Sequence, residues 1–248
     1  MTDTHTHICD AAFDADRADV IARAQRAGIQ AIIAVGEDLA DGEKNIALAR
    51  KFPILKPAAG LYPTDLNPNA ADDMVRFIRE KSSQLWAIGE VGLDFWVVKT
   101  AAERMIQKDI FAQFIALAIE LDLPLNVHSR SAGRHAIDML IQGGARRVQM
   151  HAFDGKFSTA GPAVEAGYYF SVPPSIVRSR QKQKLAGHLP LTCLLVETDS
   201  PVLGPDPQVR NEPANLALSI RAIAEIKGMA EEQVVEAVTA NTRVLYGF

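Results

Sequence analysis

Cysteine is nearly absent from this 248-residue chain, with Cys9 and Cys193 the only two. A disulfide framework is thereby excluded, and the fold must rest on a hydrophobic core. Nor is there an unbroken run of about 20 apolar residues, the length needed to cross a bilayer. The opening residues, Met1-Thr2-Asp3-Thr4-His5, lack the basic stretch and apolar segment of a secretory leader. An excess of basic residues is missing too, since the formal net charge is −4. Proteins that coat nucleic acid carry a basic face, so a phosphate ligand here must be held locally, by metal ions or a few placed arginines. Repeats, low-complexity tracts and composition shifts are also absent, which predicts one domain over residues 1–248. The expectation is a cytoplasmic monomer with no membrane contact.

What is present is a regular alternation. Short β-branched, apolar segments predict strands at Thr2–His7, Gln30–Val35, Leu55–Leu61, Trp86–Val91, Leu125–Ser129, Arg147–Ala152, Tyr168–Val172 and Cys193–Thr198. Helical periodicity fills the gaps, near 16–27, 42–51, 71–83, 102–121, 132–141, 158–166 and 177–187, with two more near 214–227 and 231–245. Gly28 follows the first helix, while Pro124 and Pro190 stand just before strands. Strands separated by helices run parallel through right-handed crossovers. Eight such units predict an α/β fold closed as a single (β/α)8 TIM-type barrel, with an open doubly wound sheet as the competing arrangement.

Barrel active sites lie where the strands end. The predicted strand ends carry Asp3, His5 and His7, then Glu90, His128, His151 and Asp199. Four of the six histidines thus join two carboxylates on one rim, a donor set suited to divalent cations. His5 and His7 are two apart and so project to the same side, with Thr6 between them turned toward the helices. Two residues before four of these donors stand Asp3, Asn126, Gln149 and Glu197. Polar groups facing a barrel interior need partners, and second-layer hydrogen bonds to imidazoles would supply some. His135 and His188 fall within or just after helices and are left out of the site. Cys9 is expected to be a small buried thiol, and it lies at the opposite mouth from Cys193, out of disulfide reach.

Five ordered motifs carry a resemblance. Asp3-Thr4-His5-Thr6-His7, Gly89-Glu90-Val91-Gly92-Leu93-Asp94, Leu123–Arg130, His151-Ala152-Phe153-Asp154-Gly155 and Glu197-Thr198-Asp199-Ser200-Pro201 together resemble the TatD family of metal-dependent deoxyribonucleases. Asn211-Glu212-Pro213 and Asn241 are similar as well. The resemblance implies an amidohydrolase-like barrel that binds one or two divalent ions and cleaves DNA phosphodiesters, as a 3′-directed exonuclease. It implies that His5, His7 and Asp199 hold one metal, and that Glu90 bridges to a second held by His128 and His151. The ion is Zn, Mn, Mg or Fe; the donor set does not choose among them. Tyr62 stands where the family often has histidine, keeping a donor without a base, and Asp154 replaces a frequent serine.

The expected chemistry is attack on phosphorus by a metal-activated water, with Asp199 and Glu90 as the catalytic carboxylates. Substrate contacts are assigned to Tyr62, to Arg130 just past His128, to Arg178 and Arg180 in a basic run that continues to Lys182 and Lys184, and to Arg210 in the long final loop. The same donors would serve an amidohydrolase or a deacylase acting on an amide, ester or aminoacyl-tRNA. A non-catalytic metal-binding barrel is disfavoured, because structural zinc sites are closed and cysteine-rich.

Overall fold

A computed structural model describes residues 1–247. Its eight strands are β1 (Thr2–Thr6), β2 (Ala31–Ala34), β3 (Leu55–Ala59), β4 (Ala87–Gly92), β5 (Leu125–His128), β6 (Val148–Met150), β7 (Tyr169–Val172) and β8 (Leu194–Val196). Helices alternate with them: α1 (Arg17–Arg26), α2 (Leu39–Lys51), α3 (Pro68–Lys81), α4 (Ala101–Leu121), α5 (Gly133–Gln142), α6 (Phe157–Glu165) and α7 (Arg180–His188), then α8 (Leu216–Lys227) and α9 (Glu231–Tyr246). Local chemistry sets several ends. Thr100 and Glu103 form a reciprocal capping box at the start of α4, and Asn67 caps α3 ahead of Pro68. No helix of the described residues is long and apolar enough to cross a membrane.

The strands pair in parallel in sequence order, β1 through β8. A doubly wound sheet would interleave that order, so the open-sheet alternative is excluded. Closure between β8 and β1 runs through the chain just past β8. The Asp199 amide donates to the His5 carbonyl and the His7 amide to the Ser200 carbonyl, both at 2.9 Å. The Thr4 hydroxyl adds a bond to the Val196 carbonyl at 2.9 Å. Asp3 stitches the same seam by accepting from the Thr198 amide and from the Thr6 and Thr198 hydroxyls. Thr6 therefore faces this seam, where sequence periodicity turned it toward the helices; a register shift in β1 between Asp3 and Thr6 breaks the alternation.

Side chains alternate about the strands as expected. Ile32, Leu194 and Val196 pack against the helices, whereas Ile33 and Leu195 point into the barrel with Val35, Ala58 and Ala87. From the C-terminal helix, Leu245 and Tyr246 complete this inner cluster. The Leu245 carbonyl accepts from Arg147, immediately before β6, which places the end of α9 at the N-terminal mouth. Tyr246 thus plugs the barrel floor and donates its phenol to Gln149 Oε1 at 2.6 Å. The opposite mouth stays open for chemistry.

Candidate metal centre

Glu90 owes its position to the two glycines around it. A Cβ on Gly89 would lie 2.6 Å from the Asn126 Cβ, and one on Gly92 would lie 2.0 Å from the His128 carbonyl oxygen. Gly92 also adopts φ +144°, a backbone region that side chains oppose. Only glycine lets β4 press against β5 here, and the register shift between Ile88 and Val91 turns the Glu90 carboxylate over the strand ends.

Four donor atoms meet above β1. The Nε2 atoms of His5 and His7 lie 3.2 Å apart. Glu90 Oε2 is 3.7 and 3.4 Å from them, and Asp199 Oδ1 is 3.5 and 3.4 Å from them. Ligands about 2.0–2.2 Å from a shared ion stand roughly 3.3–3.6 Å apart at tetrahedral angles. The donors therefore already sit at the spacing a divalent cation imposes. The other oxygen of Glu90, Oε1, lies 2.6 Å from His128 Nδ1 and 3.6 Å from His151 Nε2, and these three residues form a second candidate group. Asp199 Oδ2 approaches His151 Nε2 at 3.8 Å. Both carboxylates and all four imidazoles are buried.

The layer behind the donors fixes their lone pairs. Asn126 Nδ2 donates to the Thr4 carbonyl at 2.9 Å, so its Oδ1 must accept from His5 Nδ1 at 2.8 Å. That commits the Nδ1 proton of His5 to Asn126 and aims Nε2 at the cluster, the atom left to meet a cation. Glu197 Oε2 receives His151 Nδ1 at 3.0 Å, with the same result for His151 Nε2. His128 differs, because Asp94 Oδ2 faces its Nε2 at 3.1 Å while Glu90 faces its Nδ1. Both ring nitrogens donate to carboxylates. Burial lowers the His128 pKa, but Glu90 and Asp94 outweigh it and lift it to about 9. Burial likewise opposes charge on Glu90 and Asp199; the facing histidines overcome it and hold both below the usual carboxylate range.

A sequence model of the TatD related DNase family matches residues 2–247. The chain belongs to that family. It is 43% identical to a human protein named deoxyribonuclease TATDN3, over 99% of this chain and 94% of that one. It is 27% identical to the Salmonella typhimurium 3′-5′ ssDNA/RNA exonuclease TatD, over 99% of this chain and 98% of that one. Among solved structures, an Escherichia coli TatD homologue, YJJV, superposes with a TM-score of 0.91 at 26% identity, covering 100% and 98% of the two chains.

As a TatD family barrel, the chain brings His5, His7, Glu90, His128, His151 and Asp199 to one centre. Tyr62 joins them, its ring centroid 5.2 Å from that of His128. Burial and the nearby carboxylates raise its pKa, so it stays a phenol donor. Arg130 lies on the rim, stacked over Trp96 at 5.1 Å, and borders a cavity of about 420 Å³ with Tyr62, His151, Asp154 and Lys182.

The other three arginines do not reach this cavity. Arg210 is held by Asp16 at 2.8 and 2.7 Å and by the Ala12 carbonyl, fastening the final loop to the start of α1. Arg178 donates to the Gly204 carbonyl, and Arg180 is exposed at the first turn of α7. The second layer also differs from its expected pairing. Asn126 serves His5 instead of its strand neighbour His128, and Glu197 serves His151 instead of Asp199. Gln149 braces Thr4, Ser171 and Tyr246, while Asp3 serves the seam. These pairings span the barrel interior between strands that are not adjacent, β5 to β1 for Asn126 and the end of β8 to the end of β6 for Glu197, because an inward side chain reaches across the lumen to a donor on another strand.

His135 packs near Phe95 and His188 bonds the Lys184 carbonyl, both away from the centre. Cys9 and Cys193 are buried free thiols. Sequence reasoning passed over Asp94, Tyr246 and Glu37, whose Oε1 lies 3.7 Å from His7 Nδ1. Asp94 closes the quoted Gly-Glu-Val-Gly-Leu-Asp motif, so its position was available. Tyr246 arrives from the last helix and carries no motif.

Proposed function

We propose that this chain is a divalent-metal-dependent deoxyribonuclease that removes nucleotides from the 3′ end of DNA. The single observation carrying the reading is the mutual spacing of the His5, His7, Glu90 and Asp199 donor atoms, between 3.2 and 3.7 Å over the five separations quoted above. The similarity to proteins named as deoxyribonuclease and 3′-5′ exonuclease supports the substrate and the polarity.

His5, His7 and Asp199 would hold one ion, and His128 and His151 a second, with one oxygen of Glu90 turned to each group. Bound cations of the Zn, Mn, Mg or Fe type would acidify a water and neutralise charge on the phosphate oxygens. The residues do the rest. Asn126 and Glu197 keep the lone pairs of His5 and His151 directed inward. Asp199, its pKa held low, is ionised at neutral pH and accepts the proton released as water attacks phosphorus. Tyr62 offers its hydroxyl to a phosphate oxygen, and Arg130 supplies positive charge at the rim. The same reading takes residues 1–248 as one catalytic domain, working as a cytoplasmic monomer.

The test is hydrolysis of a 3′-labelled single-stranded oligonucleotide by the metal-stripped enzyme, reloaded in turn with each cation. A parallel panel of acyl esters measures deacylase activity. Glu90→Ala should lower the rate by about 10²–10³-fold or more, the cost of losing a central electrostatic group. Activity that survives both chelation and this substitution would defeat the proposal, and turnover of acyl esters alone would reassign the substrate.

A further inference from the structure

Lys182 reaches from the first turn of α7 into the cavity bordered by Tyr62, His151 and Asp199. One of its three N–H donors is engaged, by the Ala152 carbonyl at 3.2 Å. Among the described residues no carboxylate pairs with it directly; Glu197, Asp199 and Asp154 act on it through space. A partly buried ammonium with donors left over is costly unless an anion completes its shell. Ala152 directly follows His151, so the ammonium is moored one residue from the metal centre.

The surroundings give the anion a direction. Lys182 and Arg130 border the same cavity, of about 420 Å³. An adjoining cavity of about 230 Å³ shares Tyr62, His128, His151 and Asp199 with it and extends toward the loops after β1 and β2, where Asp10 and Glu37 border it together with His7. On one side of the donors two cations, Lys182 and Arg130, outnumber the single carboxylate of Asp154, and on the other Asp10 and Glu37 stand with no Lys or Arg lining the cavity among the described residues. A DNA strand with its scissile phosphate at the centre carries further phosphates on one side only if its other end is free. The acidic side repels those phosphates, and the Lys182 side attracts them.

We propose that Lys182 is a specificity-determining phosphate contact: it grips the phosphate next to the scissile one and so fixes the side of the metal centre over which the strand lies. This deepens the deoxyribonuclease reading and rests on it. The basic run thus contributes through its third member, because Lys182 is the one that α7 turns inward, whereas Arg180 faces solvent.

The metal-loaded enzyme is assayed on a single-stranded oligonucleotide and on bis(4-nitrophenyl) phosphate, which has one phosphate and no neighbour to grip. Lys182→Met should raise KM for the oligonucleotide at least about tenfold with kcat changed less than about threefold, the scale of one charged hydrogen bond. The slope of log(kcat/KM) against log[salt] should become shallower by about 0.7, the value for one contact to a single strand. Lys182→Arg should restore most of both. Lys184→Met, on the exposed side of α7, should change neither. If Lys182→Met fails to fold, Lys182→Gln keeps a donor for the Ala152 carbonyl and is read in the same way. An unchanged salt slope would overturn the proposal, as would an equal loss on the small diester. Wild-type turnover of the small diester without turnover of DNA would overturn the parent reading as well.

Discussion

The Nε2 atoms of His5 and His7 face each other across 3.2 Å in a buried pocket, with Glu90 and Asp199 closing the other sides. Two neutral imidazoles cannot both present lone pairs at that distance without something positive between them. A proton shared with the carboxylates satisfies the metal-free protein, and a cation satisfies the loaded one. Binding to the native state alone raises stability by RT ln(1 + [L]/Kd), about 2.7 kcal/mol at one hundred times Kd. Chelation should therefore lower Tm and reloading restore it. A Tm indifferent to chelator, Zn and Mn alike would mean that these donors hold no ion.

Proton release follows from His128. Its folded pKa of about 9 exceeds the ordinary value of 6.5, so in the metal-free protein it is protonated at neutral pH. A cation at Nδ1 displaces that proton. Metal affinity should rise from pH 6.5 to about 9 and then level off, with proton release detectable by calorimetry in buffers of different ionisation enthalpy. Stability runs the other way. A group with a raised folded pKa stabilises fully below its unfolded pKa and loses that contribution as pH climbs through the folded value. The metal-free enzyme should thus lose Tm between pH 6.5 and 9, while the loaded enzyme, with His128 already deprotonated, should not. Parallel pH profiles for the two forms would contradict this.

Glu197 touches no candidate metal position, yet it accepts from His151 Nδ1, the Ala152 amide and the Ser171 hydroxyl. It sets the tautomer that keeps His151 Nε2 available. Glu197→Gln can present an amide N–H to that ring instead of a carboxylate, and the expected cost is about 10–100-fold in metal affinity. Titration with Mn or Zn reads the effect directly. Because Glu90 with His5, His7 and Asp199 is left intact, the loss should fall on the second ion, changing the fitted stoichiometry at sub-saturating metal from two toward one. Equal weakening of both ions would show that Glu197 acts on the barrel as a whole.

The strands and the donors were both legible in the sequence, for one reason. A period of two along a strand and the strand's length place His5 with His7 and put His128 and His151 at strand ends by counting, although the shift in β1 turns Thr6 away from its expected side. Long-range partners obey no such period. Asn126 and Gln149 share the Thr4 carbonyl because a register shift in β1 frees it from the ladder, and a shift leaves no mark on composition. The substrate cations were harder still. Arg210 has the charge and the loop position that phosphate binding needs, but Asp16, almost two hundred residues away in sequence, takes its guanidinium. Helix rotation decides among the members of the basic run, and a run in which every second residue is basic does not report which side faces inward.

Gly92 concentrates the dependence of the site on backbone. Its φ of +144° and the 2.0 Å separation between an added Cβ and the His128 carbonyl oxygen act together. The first opposes any side chain through local sterics, and the second drives β4 away from β5 at the point where Glu90 and His128 meet. That carbonyl also accepts from the Leu93 amide, so it has little freedom to swing aside. Gly92→Ala should cost more than about 3 kcal/mol, in the range reserved for strain at a special backbone position. Its effect on the centre should be selective, because the carboxylate is displaced from His128 and His151 while His5 and His7 remain on β1. Chemical denaturation of the chelated protein measures the stability term, and metal titration under folding conditions measures the second. A variant as stable as the parent, binding two ions with unchanged affinity, would show that the strands tolerate a wider separation than their packing implies.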